Sequence, residues 1–406
     1  MNNDIQKYAL VTGAYWGFTL TDGALRMLVL LHFHGLGYSP FEIALLFLFY
    51  EFFGVITNLI GGWIAALVGL KVTLFAGLSL QVIALSLLAL FDPAWPGVIG
   101  VAYVMAMQAL SGIAKDLTKL SSKSAVKLVV PKDEYSTLFK WVAVLTGSKN
   151  ALKGIGFFMG GALLGWLGFA GALITMAGGL VIILLMTVIN LPGDLGQAGT
   201  KARFSQILSK SADINWLSGA RFFLFGSRDI WFVVGLPLFL AVTMDWDHTQ
   251  IGGYMAAWII AYGLVQAATP KLLKRLGKMP GGTLSRRWIV LLILVTIAIN
   301  TTVQAGIAPG LSVVLGLLVF GFVFAVNSAI HSYLVLAYSK ADHVSLNVGF
   351  YYMANAGGRL VGTLLSGLMY QWGGLVLCLS ISIAFLVTSW LLSLALPNVT
   401  EKLQKS

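Results

Sequence analysis

Of the 406 residues, 58% are hydrophobic and only 10% are charged, against about 25% charged in soluble domains. The mean hydropathy of +0.88 asks for apolar runs of about 20 residues, long enough to cross a bilayer, and leaves no room for a sizeable water-soluble catalytic domain. The formal charge of +11 would point to nucleic acid on a soluble chain; here it is expected to set membrane topology, with no nucleic-acid partner. The single cysteine, Cys378, excludes a disulfide within the chain and a thiolate metal cluster, so neither a metal nor another cofactor is expected.

Twelve apolar runs follow in chain order. The first, at about 8–33, carries Asp22 and Arg26; it is too long for a signal peptide and lacks a small-residue cleavage site after it, so it reads as a retained span. The second, about 40–68, carries Glu51, and the third, about 71–91, has no interior charge. The fourth, about 96–118, holds Lys115 and Asp116; the fifth, about 136–168, holds Lys149 and Lys153; the sixth, about 170–191, has none. A polar, glycine-containing connection from Leu191 to Ser211 precedes the seventh run, about 212–243, with Arg221, Arg228 and Asp229. The eighth, about 249–270, offers Tyr254, Tyr262 and Gln266, and the ninth, about 286–306, has no interior charge. Asn327 and His331 lie in the tenth, about 310–338; Asn355 and Arg359 in the eleventh, about 344–371; the twelfth, about 373–396, is uncharged inside.

Lys and Arg orient these runs. Alternate connections carry Lys71; Lys119, Lys123, Lys127, Lys132 and Lys140; Lys201, Arg203 and Lys210; Lys271, Lys274, Arg275, Lys278, Arg286 and Arg287; and Lys340, with Lys7, Lys402 and Lys405 at the termini. The intervening connections, near Gly35, Pro93, Phe169, Asp245, Pro309 and Gly373, carry neither Lys nor Arg. An even number of spans with both termini cytoplasmic follows.

The long connection divides the chain into a six-span half at 1–191, a central cytoplasmic loop at 192–211 and a second six-span half at 212–406. The halves echo each other at an offset near 207: Asp22 corresponds to Asp229, Gly69 to Gly277, and the Lys149/Lys153 region to the Arg359 region. Internal repeats of this kind mark transporters. Six plus six about a central cytoplasmic loop is the major facilitator layout, an all-α membrane fold of twelve helices in two pseudo-symmetric halves that rock about a midplane site.

The charges agree with that layout. Runs 3, 6, 9 and 12 have no ionisable interior residue and are expected to face lipid, where a midplane charge costs about 2.5–3.5 kcal/mol. Arg26, Lys149, Lys153, Arg228 and Arg359 fall near mid-bilayer, with Lys115 and Arg221 about two turns towards the cytoplasm; the midplane acids are Asp22, Glu51 and Asp229. Facing lipid, the five cations would cost roughly 12–17 kcal/mol, so they must meet water, acids or a ligand. Asp22 and Arg26 have the spacing to pair within one helix, as do Lys149 and Lys153 to share a face; Arg228 and Asp229 are a second possible structural pair. Internal ion pairing and ligand contact both remain open for these groups. The shortage of acids favours ligand contact for Lys149, Lys153 and Arg359. Guanidinium forks match phosphate-like oxygens bidentately and lysine adds point charge, so the expected substrate is a multiply charged anion. The expected substrate-binding set is Arg26, Lys149, Lys153, Arg228, Arg359 and Lys115; Asp22, Glu51, Asp229 and His331 are proton-coupling or ion-pair candidates.

Other motifs are less specific. Gly156-Phe157-Phe158-Met159-Gly160-Gly161 resembles the superfamily's antiporter motif, with Phe157 where proline is usual; close helix packing through small residues is an equal reading. Gly62-Trp63-Ile64-Ala65-Ala66-Leu67-Val68-Gly69-Leu70-Lys71 resembles its loop motif, but Ala66 replaces the usual acid and Leu67 and Leu70 two arginines. Tyr254, Tyr262, Gln266, Asn327 and Asn355 read as helix–helix hydrogen-bonding residues or as cavity lining. A membrane haem protein needs facing intramembrane histidines, and only His331 qualifies; His248 beside Asp245 and Asp247 belongs to a short outer turn. No G-x-x-x-x-G-K-[ST] loop occurs. A catalytic function is not expected.

Four charged blocks carry a closer likeness. They are Thr21-Asp22-Gly23-Ala24-Leu25-Arg26-Met27 running to His32-Phe33-His34, and Tyr50-Glu51-Phe52-Phe53-Gly54 with Thr57-Asn58-Leu59. The others are Ser111-Gly112-Ile113-Ala114-Lys115-Asp116-Leu117-Thr118-Lys119 with Ser121-Ser122-Lys123-Ser124, and Gly147-Ser148-Lys149-Asn150-Ala151-Leu152-Lys153-Gly154. Over essentially its whole length the chain resembles organoarsenical efflux permeases of the ArsJ type. That resemblance implies a partner glyceraldehyde-3-phosphate dehydrogenase that makes 1-arseno-3-phosphoglycerate. It further implies export of this labile ester across the bacterial inner membrane, conferring arsenate resistance. Such a substrate is anionic at both ends and needs no thiol. Alternating access with a cationic clamp is the expected mechanism. An organophosphate or phosphate antiporter is the alternative, and a proton-coupled drug exporter a weaker one, since a cationic cavity repels cations. A non-transporting scaffold would not need the midplane lysines.

Overall fold

The computed structural model describes residues 3–129, 135–191, 211–277, 281–338 and 344–397. The expected central loop, apart from Ser211, lies outside these residues, as do Lys132, Lys201, Arg203, Lys210, Lys278, Lys340, Lys402 and Lys405 of the topology argument. The described residues form helices and connections without a strand, in the order α1 (Asn3–Gly35), α2 (Pro40–Leu46), α3 (Leu48–Val68), α4 (Leu70–Leu88), α5 (Gly97–Val129), α6 (Tyr135–Asn190), α7 (Ala212–Phe232), α8 (Gly235–Val242), α9 (His248–Arg275), α10 (Gly282–Gln304), α11 (Pro309–Ala337) and α12 (Val344–Ser393). Helices are the expected solution for a chain in lipid, because each satisfies its own backbone polar groups. Among the described residues, nine helical stretches are long and apolar enough to cross a membrane, two of them 43 and 45 residues long. These two lie in α6 and α12, which are broken at Gly168 (φ 67°) and at Gly373 and Gly374 (φ 61° at Gly374). A positive φ is open to glycine without a Cβ penalty, so the connections expected near Phe169 and Gly373 are made by glycine breaks.

The chain folds into two compact units. Unit 1 gathers Met1–Gly37, Phe49–Phe204 and Asp247–Ile260; unit 2 gathers Tyr38–Leu48, Ser205–Trp246 and Ala261–Ser406. In unit 1, α1 packs mainly on α6, and α4 on α5 and α6. In unit 2, α7 packs mainly on α12, and α10 on α11 and α12.

Both principal packings depend on glycine. A Cβ at Gly156 would lie 2.5 Å from the Leu20 carbonyl oxygen, and one at Gly160 2.3 Å from that of Ala24. On the other side of the same helix, Gly161 meets the His248 carbonyl at 2.4 Å. The glycines of the antiporter-like motif therefore serve close packing. In unit 2 the equivalent approach is Gly358 against the Phe222 carbonyl, and Gly362 against Gly226 with its would-be Cβ 2.9 Å from Asp229 Cβ. Small residues let helix backbones approach where no hydrophobic force drives them together in lipid.

Further repeat signatures are local. Gly69 and Gly277, paired in the sequence echo, both have positive φ, 84° and 60°. Lys71, at the start of α4, donates to the Leu191 carbonyl at the end of α6 at 3.0 Å. Arg286, early in α10, donates to the carbonyls of Ser393 and Leu396 at the end of α12, at 3.1 and 3.2 Å. Each basic group thus satisfies orphan carbonyls at a helix C-terminus, in addition to any part in orientation. The starts of α2 and α9 also match. Ser39 and Glu42 form a reciprocal capping box, and Asp247 and Gln250 exchange the same pair of bonds at 2.8 and 2.9 Å.

Large apolar side chains on α4, the second part of α6, α10 and the second part of α12 are exposed, among them Val72, Ile182, Met186, Leu294 and Leu391. Faces of this size and composition belong against lipid. By contrast α7 and α8 are almost wholly buried. Their junction is satisfied by Ser366 of α12, whose hydroxyl accepts from the Val234 and Gly235 amides at 3.1 Å each.

The packing predicts a clear mutational contrast. Gly156→Val and Gly358→Val should each cost about 1–3 kcal/mol through overpacking, whereas Gly165→Ala, with nothing within 4 Å of its Cβ position, should be neutral or stabilising. Thermal unfolding of the detergent-purified protein, with gel-filtration profiles, checks this.

Candidate functional site

In unit 1 the charged side chains of α1, α3 and α5 meet around Tyr50. Arg26 Nη2 lies 2.5 Å from Glu51 Oε1, with the two side chains 7% and 1% exposed. The Tyr50 hydroxyl donates to Asp22 Oδ1 at 2.5 Å. The pairing of Asp22 with Arg26 along one helix is therefore replaced by contacts from α1 to α3. The consecutive Tyr50 and Glu51 supply a donor for Asp22 and an acid for Arg26, which satisfies both groups where neither meets water. Lys115 Nζ sits 3.9 Å from the centroid of the Tyr50 ring, and Arg26 Cζ 5.3 Å. Cations over a desolvated aromatic face are stabilised by its quadrupole.

The next residue of α5, buried Asp116, accepts from Lys119 at 2.5 Å, and the same ammonium donates to Asn58 Oδ1 at 2.5 Å. Lys149 and Lys153 are half-buried on α6. Lys153 Nζ lies 5.6 Å from the Phe157 ring centroid, so the side chain runs along its own helix.

In unit 2 the first charged helix is α7. Asp229, 1% exposed, is shared by two guanidiniums: Arg228 on its own helix, through Nε at 2.7 Å, and Arg359 of α12, through Nε at 3.0 Å. Arg228 also faces the rings of Phe225, Phe232 and Phe324 at 4.9–5.7 Å. The structural pairing open for Arg228 is thus present, and Arg359, expected to lack an acid, has the same one. One carboxylate for two guanidiniums leaves this trio with an excess of positive charge.

His331 on α11 is fully buried, with Nε2 2.9 Å from the Ser285 hydroxyl, which in turn donates to Asn327 Oδ1 at 3.0 Å. It belongs to a polar link between α10 and α11. Arg221, two turns before Arg228 on α7, is 4% exposed and donates to Asn355 Oδ1 at 2.9 Å and Ser328 Oγ at 3.1 Å.

Sequence reasoning left Tyr50 and Ser328 out of the site and Arg221 outside the substrate set. Tyr50 had one signal, its place beside Glu51 in a charged block. Ser328 had none, since a serine in an apolar helix is ordinary. Among the described residues no group of three or more His, Cys, Asp or Glu side chains is arranged to hold a metal. Cys378 is buried and unoxidised, 3.6 Å from the Ser366 carbonyl. The arrangement can bind and release charge.

The Arg26–Glu51 pair makes a testable demand. Removing one partner of a buried ion pair typically costs about 3–5 kcal/mol, while removing both costs far less. Glu51→Gln should therefore destabilise strongly, and Arg26→Gln/Glu51→Gln should recover most of that loss. A double-mutant cycle on unfolding in detergent measures the non-additivity.

Residues 10–325 match the family model described as Major Facilitator Superfamily. No curated protein matches the chain.

Proposed function

The chain belongs to the Major Facilitator Superfamily, and on that footing we propose that it is a secondary active efflux transporter of 1-arseno-3-phosphoglycerate. Members of the superfamily are generally transporters rather than enzymes, and the apolar helices make this a multi-pass integral membrane protein with a small-molecule substrate. The finer reading has the chain cross the bacterial inner membrane twelve times with both termini cytoplasmic, in halves 1–191 and 212–406 joined by the loop at 192–211. It exports the organoarsenical anion made by a glyceraldehyde-3-phosphate dehydrogenase, by alternating access, and so confers arsenate resistance.

One observation carries the anionic substrate: two guanidiniums, the buried Arg228 and the partly exposed Arg359, both reach the carboxylate of Asp229. A buried cation excess is expensive unless something anionic visits it. Arg26, Lys115, Lys149 and Lys153 of unit 1 and Arg228 and Arg359 of unit 2 are the substrate-binding candidates, each set cationic within its own unit. Asp22, Glu51 and Asp229 compete with the substrate for these cations, and a proton taken up by one of them neutralises repulsion on the return. His331, hydrogen-bonded to Ser285, is the weakest of the proton candidates. The arsenic assignment rests on the likeness of the charged blocks to the ArsJ-type permeases. An organophosphate or phosphate antiporter is the second reading, favoured by the same guanidiniums, which bind phosphate and arsenate oxygens alike.

Everted membrane vesicles containing the protein separate these readings. Supplied outside with arsenate, glyceraldehyde 3-phosphate, NAD and the dehydrogenase, they should accumulate arsenic only when all four are present. Accumulation with arsenate alone, or phosphate-ester exchange without arsenic uptake, overturns the arsenic reading. Lys149→Gln and Arg359→Gln should each lower uptake at least tenfold with the fold intact; full transport by both removes the clamp.

A further inference from the structure

Arg221 differs from every other buried arginine described above. Arg26, Arg228 and Arg359 each reach a carboxylate. Around Arg221, no carboxylate of the described residues comes within ion-pair distance. Its Nε donates to Asn355 Oδ1 at 2.9 Å; its Nη1 donates to Ser328 Oγ at 3.1 Å and to the Ser328 carbonyl at 3.3 Å. The guanidinium carbon lies 3.8 Å from the Phe225 ring centroid and 5.1 Å from that of Tyr351. All of these partners are neutral. Arginine does not shed its proton inside proteins, so a full positive charge is held here by dipoles and ring faces alone. Nη2 engages no described group. It leaves two N–H bonds on one edge of the fork, which is the edge that takes phosphate-like oxygens.

The neighbours direct donors at one hydroxyl. Three side chains aim at Ser328 Oγ: Arg221 Nη1, the Tyr262 hydroxyl at 3.3 Å and Gln266 Nε2 at 3.3 Å. A serine hydroxyl offers two acceptor positions and one donor, so these approaches crowd a single neutral group. Two of the three approaches are at the long limit of a hydrogen bond. Asn355 spends its amide oxygen on Arg221, and its amide nitrogen remains a donor. Two elements of unit 2, α7 and the later part of α9, thus direct three donors at one neutral oxygen of α11, with Asn355 of α12 beside Arg221. Arg221 and Ser328 are buried, whereas Gln266 and Asn355 keep part of their surface exposed.

We propose that Arg221, Tyr262, Gln266 and Asn355 form an oxyanion subsite for a phosphoryl or arsenyl group, with Ser328 Oγ standing in for the anion's oxygen in the empty state. The proposal rests on the reading of the substrate as a multiply charged anion. Arg221 supplies the counter-charge, and the tyrosine hydroxyl and the two amides orient the remaining oxygens. Arg221 and Arg228 lie seven residues apart on α7, two turns and about 10 Å along the axis. Unit 2 therefore carries two cationic centres on one helix, which suits a substrate with charge at both ends.

Isothermal titration of the purified full-length chain, with 3-phosphoglycerate and separately with inorganic phosphate and arsenate, tests the subsite. The wild type should bind 3-phosphoglycerate. Arg221→Gln should weaken that binding at least thirtyfold, and Arg221→Lys, which keeps the charge and loses the fork, should fall between. Ser328→Ala should bind at least as tightly as wild type, because it removes the internal competitor. A folded Arg221→Gln or Arg221→Lys protein with wild-type affinity overturns the proposal, as does a Ser328→Ala loss as large as that of Arg221→Gln, or a wild type that binds none of the probes. If Arg221→Gln does not fold, Arg221→Lys alone decides. Failure of arsenic uptake in vesicles, with binding still dependent on Arg221, sinks the arsenic export reading and leaves the subsite standing; uptake and binding both indifferent to Arg221→Lys sink the subsite alone.

Discussion

A charge taken out of water into an apolar helix bundle has to find a partner, and that requirement governs how this chain is built. Its cost in lipid explains why ionisable residues are absent from the interiors of the outward helices and concentrated on those whose sides are covered. Within the units the same cost selects the partners. Arg26 takes Glu51, Asp22 takes the Tyr50 hydroxyl, and Asp229 takes two arginines. The most deeply buried stretch, α7 with α8, is also one of the most highly charged. In a bilayer protein that combination marks a candidate functional region.

The charges meet because backbones come close. Glycines on α12 bring it so near α7 that Gly362 lies against Asp229 and Arg359 reaches the carboxylate across the helix boundary. Glycines on α6 do the same for α1. A larger residue at these points would separate the helices and strand a buried guanidinium. Packing and electrostatics are therefore a single constraint here, and the small-residue motif in α6 is part of the charge network's support.

The two units use a common plan with different chemistry. Each has a helix bearing a buried aspartate, α1 or α7, a glycine-mediated packing of that helix, and a basic side chain that closes the end of a long helix, Lys71 at α6 and Arg286 at α12. Unit 1 adds lysines over aromatic rings and an acid for its arginine. Unit 2 adds arginines faster than acids, and one of them, Arg221, has only neutral partners.

Membrane residence, the crossing-length helices and the superfamily were legible in the sequence, because hydrophobic run length is a local property that the bilayer reads directly. The placement of charges on covered helices was legible for the same reason. Which charge meets which was not. Asp22 and Arg26 have pairing distance along one helix, yet partners from the next helix win, since Tyr50 and Glu51 arrive with better geometry. Arg359 looked short of an acid because Asp229 is 130 residues away in the chain. The convergence on Ser328 joins residues from Arg221 to Asn355. Such contacts depend on how helices cross and how closely glycine lets them approach, and only the tertiary fold decides that.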